Sequence, residues 1–514
     1  MNTLKRILTL LLALVMLTAV LCGCGDGKKG TAQPGESLSP DEPAAAKELT
    51  VGIAQDLDDS LDPHKMTAAG TREILFNVFE GLVKPDENGY LLPAVASEYV
   101  IAESGDTFTF TLREGVKFHN GSTVTVGDIV YSISRVAGLD SGTPLIAQFA
   151  AVTSVEATDD KTVVIKTAEP YLEFLAYLTA AIIPEGSDPA EGLVGTGPFK
   201  FASRKAQENI VLERFDDYWG EPAKLEKVTF KIIENANMLV MSLKSGAIDL
   251  CAHLTSAQAA ELGSGFTVAE GSMNLVQAMY LNNAYGPLAD VRVRQALCYA
   301  VDKQTVLDLV ADGKGSILGS SMYPAFGKYY NDLSDYYTRD LDKAKALLAE
   351  AGYADGFDLV ITAPNTYQIH VDTAQVITEQ LKDIGVRCTI DTVEWSTWLE
   401  QVYQNRDYQA TVVGFDTSAA MTAQSLLARF ESGSSKNVCN FASDQFDDRY
   451  AAAVAATAEE PQIAAYKDCQ KILAEQAVAV YVQDPADLVA MRAGVSGYCF
   501  YPLYVMDMSK VTVE

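Results

Sequence analysis

The 514-residue sequence lacks three short motifs that mark serine hydrolases, zinc proteases and P-loop enzymes. It contains no Gly-x-Ser-x-Gly, no His-Glu-x-x-His and no Gly-x-x-x-x-Gly-Lys. The sequence therefore lacks the motifs that supply the reactive residues of serine hydrolases, zinc proteases and P-loop enzymes. Histidine is scarce, and its four copies lie far apart along the chain: His64, His119, His253 and His370. The sequence therefore predicts a protein that is not an enzyme and that needs no cofactor.

Basic residues are few relative to acidic ones, and closely spaced cysteine pairs of the metal-binding kind are absent from the sequence. Lys and Arg total 39 against 68 Asp and Glu, a net charge of −29, and such a surface repels phosphate backbones. Nucleic acid is therefore excluded as a partner. No Cys-x-x-Cys occurs, so a zinc site is not predicted, whereas disulfides and buried thiols both remain open for the six scattered cysteines after Cys24: Cys251, Cys298, Cys388, Cys439, Cys469 and Cys499.

Only one apolar run is long enough to interact with a membrane, and it lies at the N-terminus. Lys5 and Arg6 precede the apolar residues 7–21, which is the pattern of a cleaved export signal. The following residues, Leu21-Cys22-Gly23-Cys24, resemble a bacterial lipobox. The resemblance predicts a signal peptide at 1–23 and a lipid on Cys24, and an ordinary export signal with an incidental cysteine is the alternative.

After the signal, the composition changes twice. Residues 24–47 are small, polar or charged and predict a flexible tether. From residue 48, strand-like and helix-like segments alternate, which predicts mixed α/β layers. Thr125 and Asp128 have capping-box spacing at the start of a helix through Val136. Other predicted elements are strands at 49–53, 107–112, 162–166, 386–393 and 409–415, and helices at 71–82, 291–310, 341–351 and 373–384.

Several blocks occur in the order typical of one family. They include Leu61-Asp62-Pro63, Phe79-Glu80-Gly81-Leu82-Val83, Leu112-Arg113-Glu114-Gly115-Val116-Lys117-Phe118-His119-Asn120-Gly121, Gly195-Thr196-Gly197-Pro198-Phe199 and Asp290-Val291-Arg292-Val293-Arg294-Gln295-Ala296-Leu297. With these blocks the chain resembles, from about residue 48 to its end, the family 5 extracellular solute-binding proteins, the peptide and nickel receptors of ABC importers.

The resemblance implies an α/β, two-lobed fold of the periplasmic-binding-protein type II, large class, with an extra subdomain inserted in the first lobe. We expect the first lobe at 48–85, 195–270 and 487–514, the inserted subdomain at 86–194 and the second lobe at 271–486. The implied protein is a monomeric, extracytoplasmic receptor of a bacterial cell membrane, anchored by the lipid on Cys24. It binds a small solute between its lobes and delivers it to an ABC permease.

Peptide is the first choice for that solute. A metal chelate, a sugar or another small organic solute is an alternative within the receptor interpretation, and an exported enzyme or sensor on the same scaffold is an alternative to it. The resemblance places these candidate ligand contacts at the lobe interface: Asp58, His64, Asn282, Asn283, Tyr285, Tyr323, Tyr367, His370, Trp395, Trp398, Phe415 and Asp416. No metal ligands are predicted.

One segment departs from the family pattern. Peptide binders of this family commonly carry a Trp followed three residues later by an Asp that pairs with the peptide's amino group. The matching positions here are Phe415 and Ser418, and Asp416 is the only acid between them. The 365–370 loop contains no arginine for a ligand carboxylate. The sequence therefore predicts an altered clamp for the ends of the ligand.

Overall fold

The structure is a computed structural model, and it describes residues 47–57, 60–66, 68–189, 192–417 and 420–514. The predicted signal peptide, the predicted tether up to residue 46 with its Cys24, and also Asp58 and Ser418 lie outside the described residues. Within the described ranges, no helix combines the length and the apolar character needed to cross a bilayer.

Twenty strands are present in the described residues. They are β1 (Glu48–Ile53), β2 (Val83–Pro85), β3 (Leu91–Pro93), β4 (Ala96–Ile101), β5 (Thr107–Leu112), β6 (Val152–Ala157), β7 (Thr162–Thr167), β8 (Phe199–Lys205), β9 (Asn209–Arg214), β10 (Lys227–Ile232), β11 (Leu250–Leu254), β12 (Phe266–Ser272), β13 (Val276–Leu281), β14 (Gly315–Ile317), β15 (Asp358–Pro364), β16 (Arg387–Val393), β17 (Ala410–Phe415), β18 (Ala479–Arg492), β19 (Val495–Ser496) and β20 (Thr512–Val513).

The α-helices of the described residues accompany these strands. They are α1 (Ala69–Leu75), α2 (Val126–Ala137), α3 (Phe174–Tyr177), α4 (Ala236–Lys244), α5 (Ser256–Ala260), α6 (Val291–Ala300), α7 (Lys303–Ala311), α8 (Leu341–Glu350), α9 (Gln368–Leu381), α10 (Trp395–Trp398), α11 (Ala423–Leu427), α12 (Asp444–Val454) and α13 (Glu459–Glu475). Short 3-10 segments lie at 147–151, 286–289, 324–329 and 382–384, and a π-helical turn lies at 399–404.

The strands build two lobes around one shared strand. In the first lobe, β1 pairs in parallel with β10 and β11, and β9 and β8 continue the sheet beyond β10. In the second lobe the order is β16, β15, β17 and β13. Both groups meet at β18, whose first half pairs with β13 and whose second half pairs with β11 and β12. Separate apolar clusters fill the two lobes.

The inserted subdomain has a sheet of its own. Its four antiparallel strands follow the order β4, β5, β7 and β6, and α2 packs on them. The predicted capping box is confirmed: Thr125 Oγ1 accepts from the Asp128 amide, and the Asp128 carboxylate accepts from the Thr125 amide at 2.7 Å. The alternation predicted at 107–112 is confirmed as well, since Phe108 and Phe110 are fully buried.

Two helix predictions were too long. The helix predicted at 71–82 ends at Leu75. The helix predicted at 291–310 is two helices, because Val301 has an extended backbone and the Asp302 side chain caps a new helix by accepting from the Thr305 amide. All six described cysteines are free, and four of them are buried. The domain bounds given above remain predictions.

Candidate ligand cleft between the lobes

The cleft begins where the chain crosses between the lobes. One crossing is β18, and the other is the segment 273–275 that joins β12 to β13. Val276 at the start of β13 pairs with Phe415 at the end of β17, so the Phe415 segment lies beside the second crossing. Sequence reasoning expected ligand contacts at this segment, and the fold puts it at the lobe boundary.

Phe415 is mainly a packing residue. Its side chain is nearly buried, with the Tyr280 ring at 4.8 Å on one side and the Arg429 guanidinium 4.3 Å from its centroid on another. Tyr323 is fully buried nearby, and its hydroxyl is 3.5 Å from Thr417 Oγ1. Asp416 is only partly buried and is therefore the more accessible group of this segment.

Four predicted contacts of the second lobe form one aromatic cluster. The rings of Trp395 and Trp398 stack at 4.9 Å, and Tyr367 meets Trp395 edge-on at 5.5 Å and His370 at 5.7 Å. Tyr367 is 48% exposed and Trp395 is partly exposed, whereas Trp398 is 1% exposed and donates its indole N–H to Thr411 Oγ1. Tyr367 and Trp395 therefore offer the ring surface, and Trp398 supports it.

His370 belongs to a buried polar network behind that surface. Its Nδ1 accepts from the Gln277 amide nitrogen at 2.8 Å, and Gln277 Oε1 accepts from Thr373 and from Gln483 at 2.6 Å. Burial lowers the pKa of His370 to about 4, so the ring is neutral near pH 7. His370 thus fixes α9 against the sheet and carries no charge into the cleft.

The first lobe contributes a charged group that sequence reasoning missed. The His253 imidazole lies between two carboxylates, 2.8 Å from Glu73 and 3.0 Å from Asp487, and stacks on the Tyr504 ring at 4.6 Å. Burial alone would lower the pKa of His253, but the two carboxylates raise it well above its usual value. Glu73 lies in α1, His253 in β11 and Asp487 in β18, so only the fold brings these three residues together.

Tyr504 also links this group to the second lobe. Burial raises the pKa of Tyr504, and the charges of Glu73 and Asp487 and the Tyr367 phenol of the second lobe raise it further. Tyr504 is 38% exposed. The two lobes therefore present aromatic rings to the same region.

Asp484 is another acidic residue at the lobe boundary that was not predicted from the sequence. It sits on β18 between its two halves, is 1% exposed and accepts from the Leu275 amide at 3.0 Å, so it ties the two crossings together. Burial raises the pKa of its carboxyl to about 7. Its neighbours in sequence are mostly apolar, and nothing in that pattern distinguishes it from an ordinary strand residue.

Three predicted contacts do not join this region. Because β13 and β17 are antiparallel, Asn282, Asn283 and Tyr285 follow the end of β13 that lies opposite Phe415, about 17 Å along the strand. The Asn282 amide donates to the Tyr408 carbonyl, and the Asn283 amide donates to the Leu281 carbonyl. Asn282 and Asn283 make structural hydrogen bonds at the far end of the second lobe, and Tyr285 follows them there, so the structure does not bring these three predicted contacts together with the others.

His64 is a further correction. It is 1% exposed, its Nε2 donates to the Ala181 carbonyl at 2.7 Å and its Nδ1 accepts from Arg135, so neither nitrogen is left for a ligand. Burial lowers its pKa to about 4. His64 also lines a cavity of about 830 Å³, but none of the described residues around that cavity belongs to the second lobe. That cavity is therefore separate from the cleft.

The described residues contain no group of three or more His, Cys, Asp or Glu side chains arranged to hold a metal ion. What the cleft offers is aromatic surface from both lobes, partly buried acids and a hinge of two crossings. Such a site binds a small molecule by closing over it. The fold and the site together define a two-lobed solute-binding protein.

Comparison with known proteins gives the family. Residues 91–437 match the family described as bacterial extracellular solute-binding proteins, family 5 Middle. The chain belongs to this family, as its sequence blocks indicated, and its role is to bind a solute outside the cytoplasm.

Individual relatives agree with that placement. The chain is 26% identical over 474 residues to the dipeptide-binding protein of Escherichia coli (strain K12), covering 82% of this chain and 86% of that protein. It is 28% identical over 460 residues to heme-binding protein A of Haemophilus influenzae, covering 80% and 82%. The solved structure of the substrate-binding protein CtaP from Listeria monocytogenes shares its fold, with a TM-score of 0.83, 23% identity and coverage of 91% and 99%.

Proposed function

We propose that this chain is the receptor of a bacterial ABC importer and that its solute is a peptide bound between Tyr504 of the first lobe and the Tyr367–Trp395 surface of the second. The observation that carries the proposal is the pair of exposed rings of Tyr367 and Trp395 beside the start of β13, together with the exposed Tyr504 ring of the first lobe. Rigid rings give a large contact area at low entropic cost, which suits a ligand with variable side chains.

The charges of the cleft support a ligand with an ammonium group. Asp416 is accessible, Glu73 and Asp487 share a single imidazolium, and no lysine or arginine forms an ion pair with Asp416 or Asp484 within the described residues. The similarity to a dipeptide-binding protein points the same way. A planar, aromatic solute is the second candidate, because the Tyr367 and Trp395 rings could also pack on it and because heme-binding protein A is a relative.

Mass spectrometry of the solute that copurifies with the protein, followed by calorimetry with peptides of two to five residues, tests the proposal. We expect saturable peptide binding that Tyr367→Ala and Trp395→Ala each weaken about tenfold, equal to about 1.4 kcal/mol. Tyr336→Ala is the matched control, because Tyr336 is a comparably exposed ring (40%) of the second lobe that contacts only Tyr337 among the described rings. Binding of a planar solute with no binding of any peptide would contradict the peptide proposal.

We also propose that the protein is a monomer held at the outer face of the cell membrane by a lipid on Cys24, so that the solute is released to a permease in the same membrane. The supporting pattern is the lipobox-like sequence Leu21-Cys22-Gly23-Cys24. A lipid with two acyl chains gives stable anchoring where one chain is marginal.

A further inference from the structure

Glu173 joins the inserted subdomain to the second lobe through one buried carboxylate. It immediately precedes α3, and its side chain reaches the start of α11 on the second lobe. One oxygen accepts from the Ala423 amide at 2.6 Å. The other accepts from the Gln424 amide at 3.2 Å and from the Tyr466 hydroxyl at 2.5 Å. All three donors therefore belong to the lobe opposite the carboxylate.

The contact also completes a helix terminus that the second lobe cannot complete alone. The first amides of a helix have no partner inside the helix. In α11, Thr422 accepts from the Ser425 amide, but the amides of Ala423 and Gln424 bond to Glu173. If the lobes separated, Glu173 would lose three donors and α11 would lose two acceptors.

The contact is largely buried. Glu173 is only 8% exposed, and burial raises the pKa of its carboxyl against the opposing effect of the three donors. No lysine, arginine or histidine lies within ion-pair distance of it in the part of the chain described. A buried carboxylate without a cation is costly unless its hydrogen bonds are made, so the free energy of this contact depends on the lobes being together.

Neighbouring contacts extend the junction. The Tyr177 hydroxyl lies 3.2 Å from Thr422 Oγ1, and Ala420 of the second lobe packs into the apolar core of the inserted subdomain. None of these residues belongs to β18 or to the segment 273–275. The junction therefore opposes opening at a place other than the hinge.

We propose that Glu173 and its three donors form a latch that holds the closed arrangement and sets its population in the absence of solute. The proposal goes beyond the binding function, since it concerns no ligand contact. A closed state that is stabilised by protein contacts raises the apparent affinity for any solute that requires closure, because less of the binding free energy is spent on closing. Glu173 is thus a positioning residue for the two lobes.

Ligand-free protein, refolded from denaturant to remove copurified solute, tests the latch by two measurements. In Glu173→Gln one of the three donors faces an amide N–H₂ group and loses its acceptor, which weakens the contact between the lobes. We therefore expect a larger radius of gyration in solution scattering than for the wild type. We also expect hydrogen exchange at the Ala423 and Gln424 amides to be faster by about tenfold or more, the effect of losing one charged hydrogen bond. Tyr466→Phe removes a single donor and should move both quantities in the same direction by less.

Glu169→Gln is the matched control, because Glu169 is an exposed acid four residues before Glu173 whose loss changes net charge equally. An unchanged radius in both Glu173→Gln and Tyr466→Phe would overturn the latch. Faster exchange of the two amides at an unchanged radius would also overturn it, since that result means local fraying of α11. Neither measurement uses a solute, so failure of the peptide proposal leaves this test intact.

Discussion

Both the backbone conformation and the side chain of His253 are unusual. Its φ is +58°, a left-handed conformation that is uncommon outside glycine and asparagine, and it lies where the pairing of β11 with β18 is irregular. That irregularity places its imidazole between Glu73 and Asp487. The group joins α1, β11 and β18 at the base of the cleft.

The pH dependence of stability should reveal this group. The folded pKa of His253 is raised above its unfolded value, so its stabilising effect is complete below about pH 6.5 and is lost as pH rises through the folded pKa. The melting temperature of the wild type should therefore exceed that of His253→Gln by more at pH 6 than at pH 9.5. Thermal unfolding followed by circular dichroism at the two pH values measures the difference.

His119→Gln is the control for that measurement. The pKa of His119 is lowered to about 4 by burial, so its effect on stability runs in the opposite sense and is lost as pH falls below about 6.5. If the difference between wild type and His253→Gln were equal at pH 6 and pH 9.5, the imidazolium assignment would be wrong.

At the scale of elements, the capping box at the start of α2 was predicted from the sequence and is present in the structure. Thr125→Ala should lower the free energy of unfolding by about 1 kcal/mol, because it removes the hydroxyl that accepts from the Asp128 amide. Thr123→Ala, two residues earlier and exposed, should change it little. Urea denaturation of both variants gives the comparison, and equal losses would show that the cap has no specific effect.

Elements with local signals were predictable, and their assembly was not. The caps and glycines that bound α2 and α8 act within a few residues, and Gly352 has the left-handed backbone expected after a helix. The helix predicted at 373–384 starts earlier, at Gln368, where no side chain caps it, and ends at Leu381, before a 3-10 turn that leads to Gly385. The cluster of Tyr367, Trp395 and Trp398 was predicted in part because two of its members are three residues apart. His253, Asp484 and Glu173 were missed because their partners are separated by up to 293 residues.

Family resemblance erred where it assigned roles from position alone. It placed Asn282 to Tyr285 at the cleft, but the strand that precedes them runs away from Phe415. It gave His64 a ligand role, although burial and two hydrogen bonds occupy that ring. A motif block identifies the fold of a segment, whereas the direction of each strand decides which end meets the ligand.

For the whole molecule, the predicted anchor is testable in cells. Cys24→Ala should move the protein from the membrane fraction to the soluble exported fraction, because the lipid is then absent while the folded body is unchanged. Cys22→Ala should leave it membrane-bound, since Leu21 is too bulky for the residue before a cleavage site. Fractionation and immunoblotting measure the distribution. Retention of a processed Cys24→Ala protein in the membrane would contradict the assignment.

The shared strand β18 has a consequence for the order in which the molecule can form. It lies near the C-terminus, yet β12 has no other partner in the described sheet and β11 needs it on one side. During synthesis and secretion the N-terminal strands emerge first, but the first lobe cannot complete its sheet until residue 492 has followed. For a chain that crosses the membrane unfolded, the late arrival of β18 keeps the first lobe unfinished until almost the entire chain has passed.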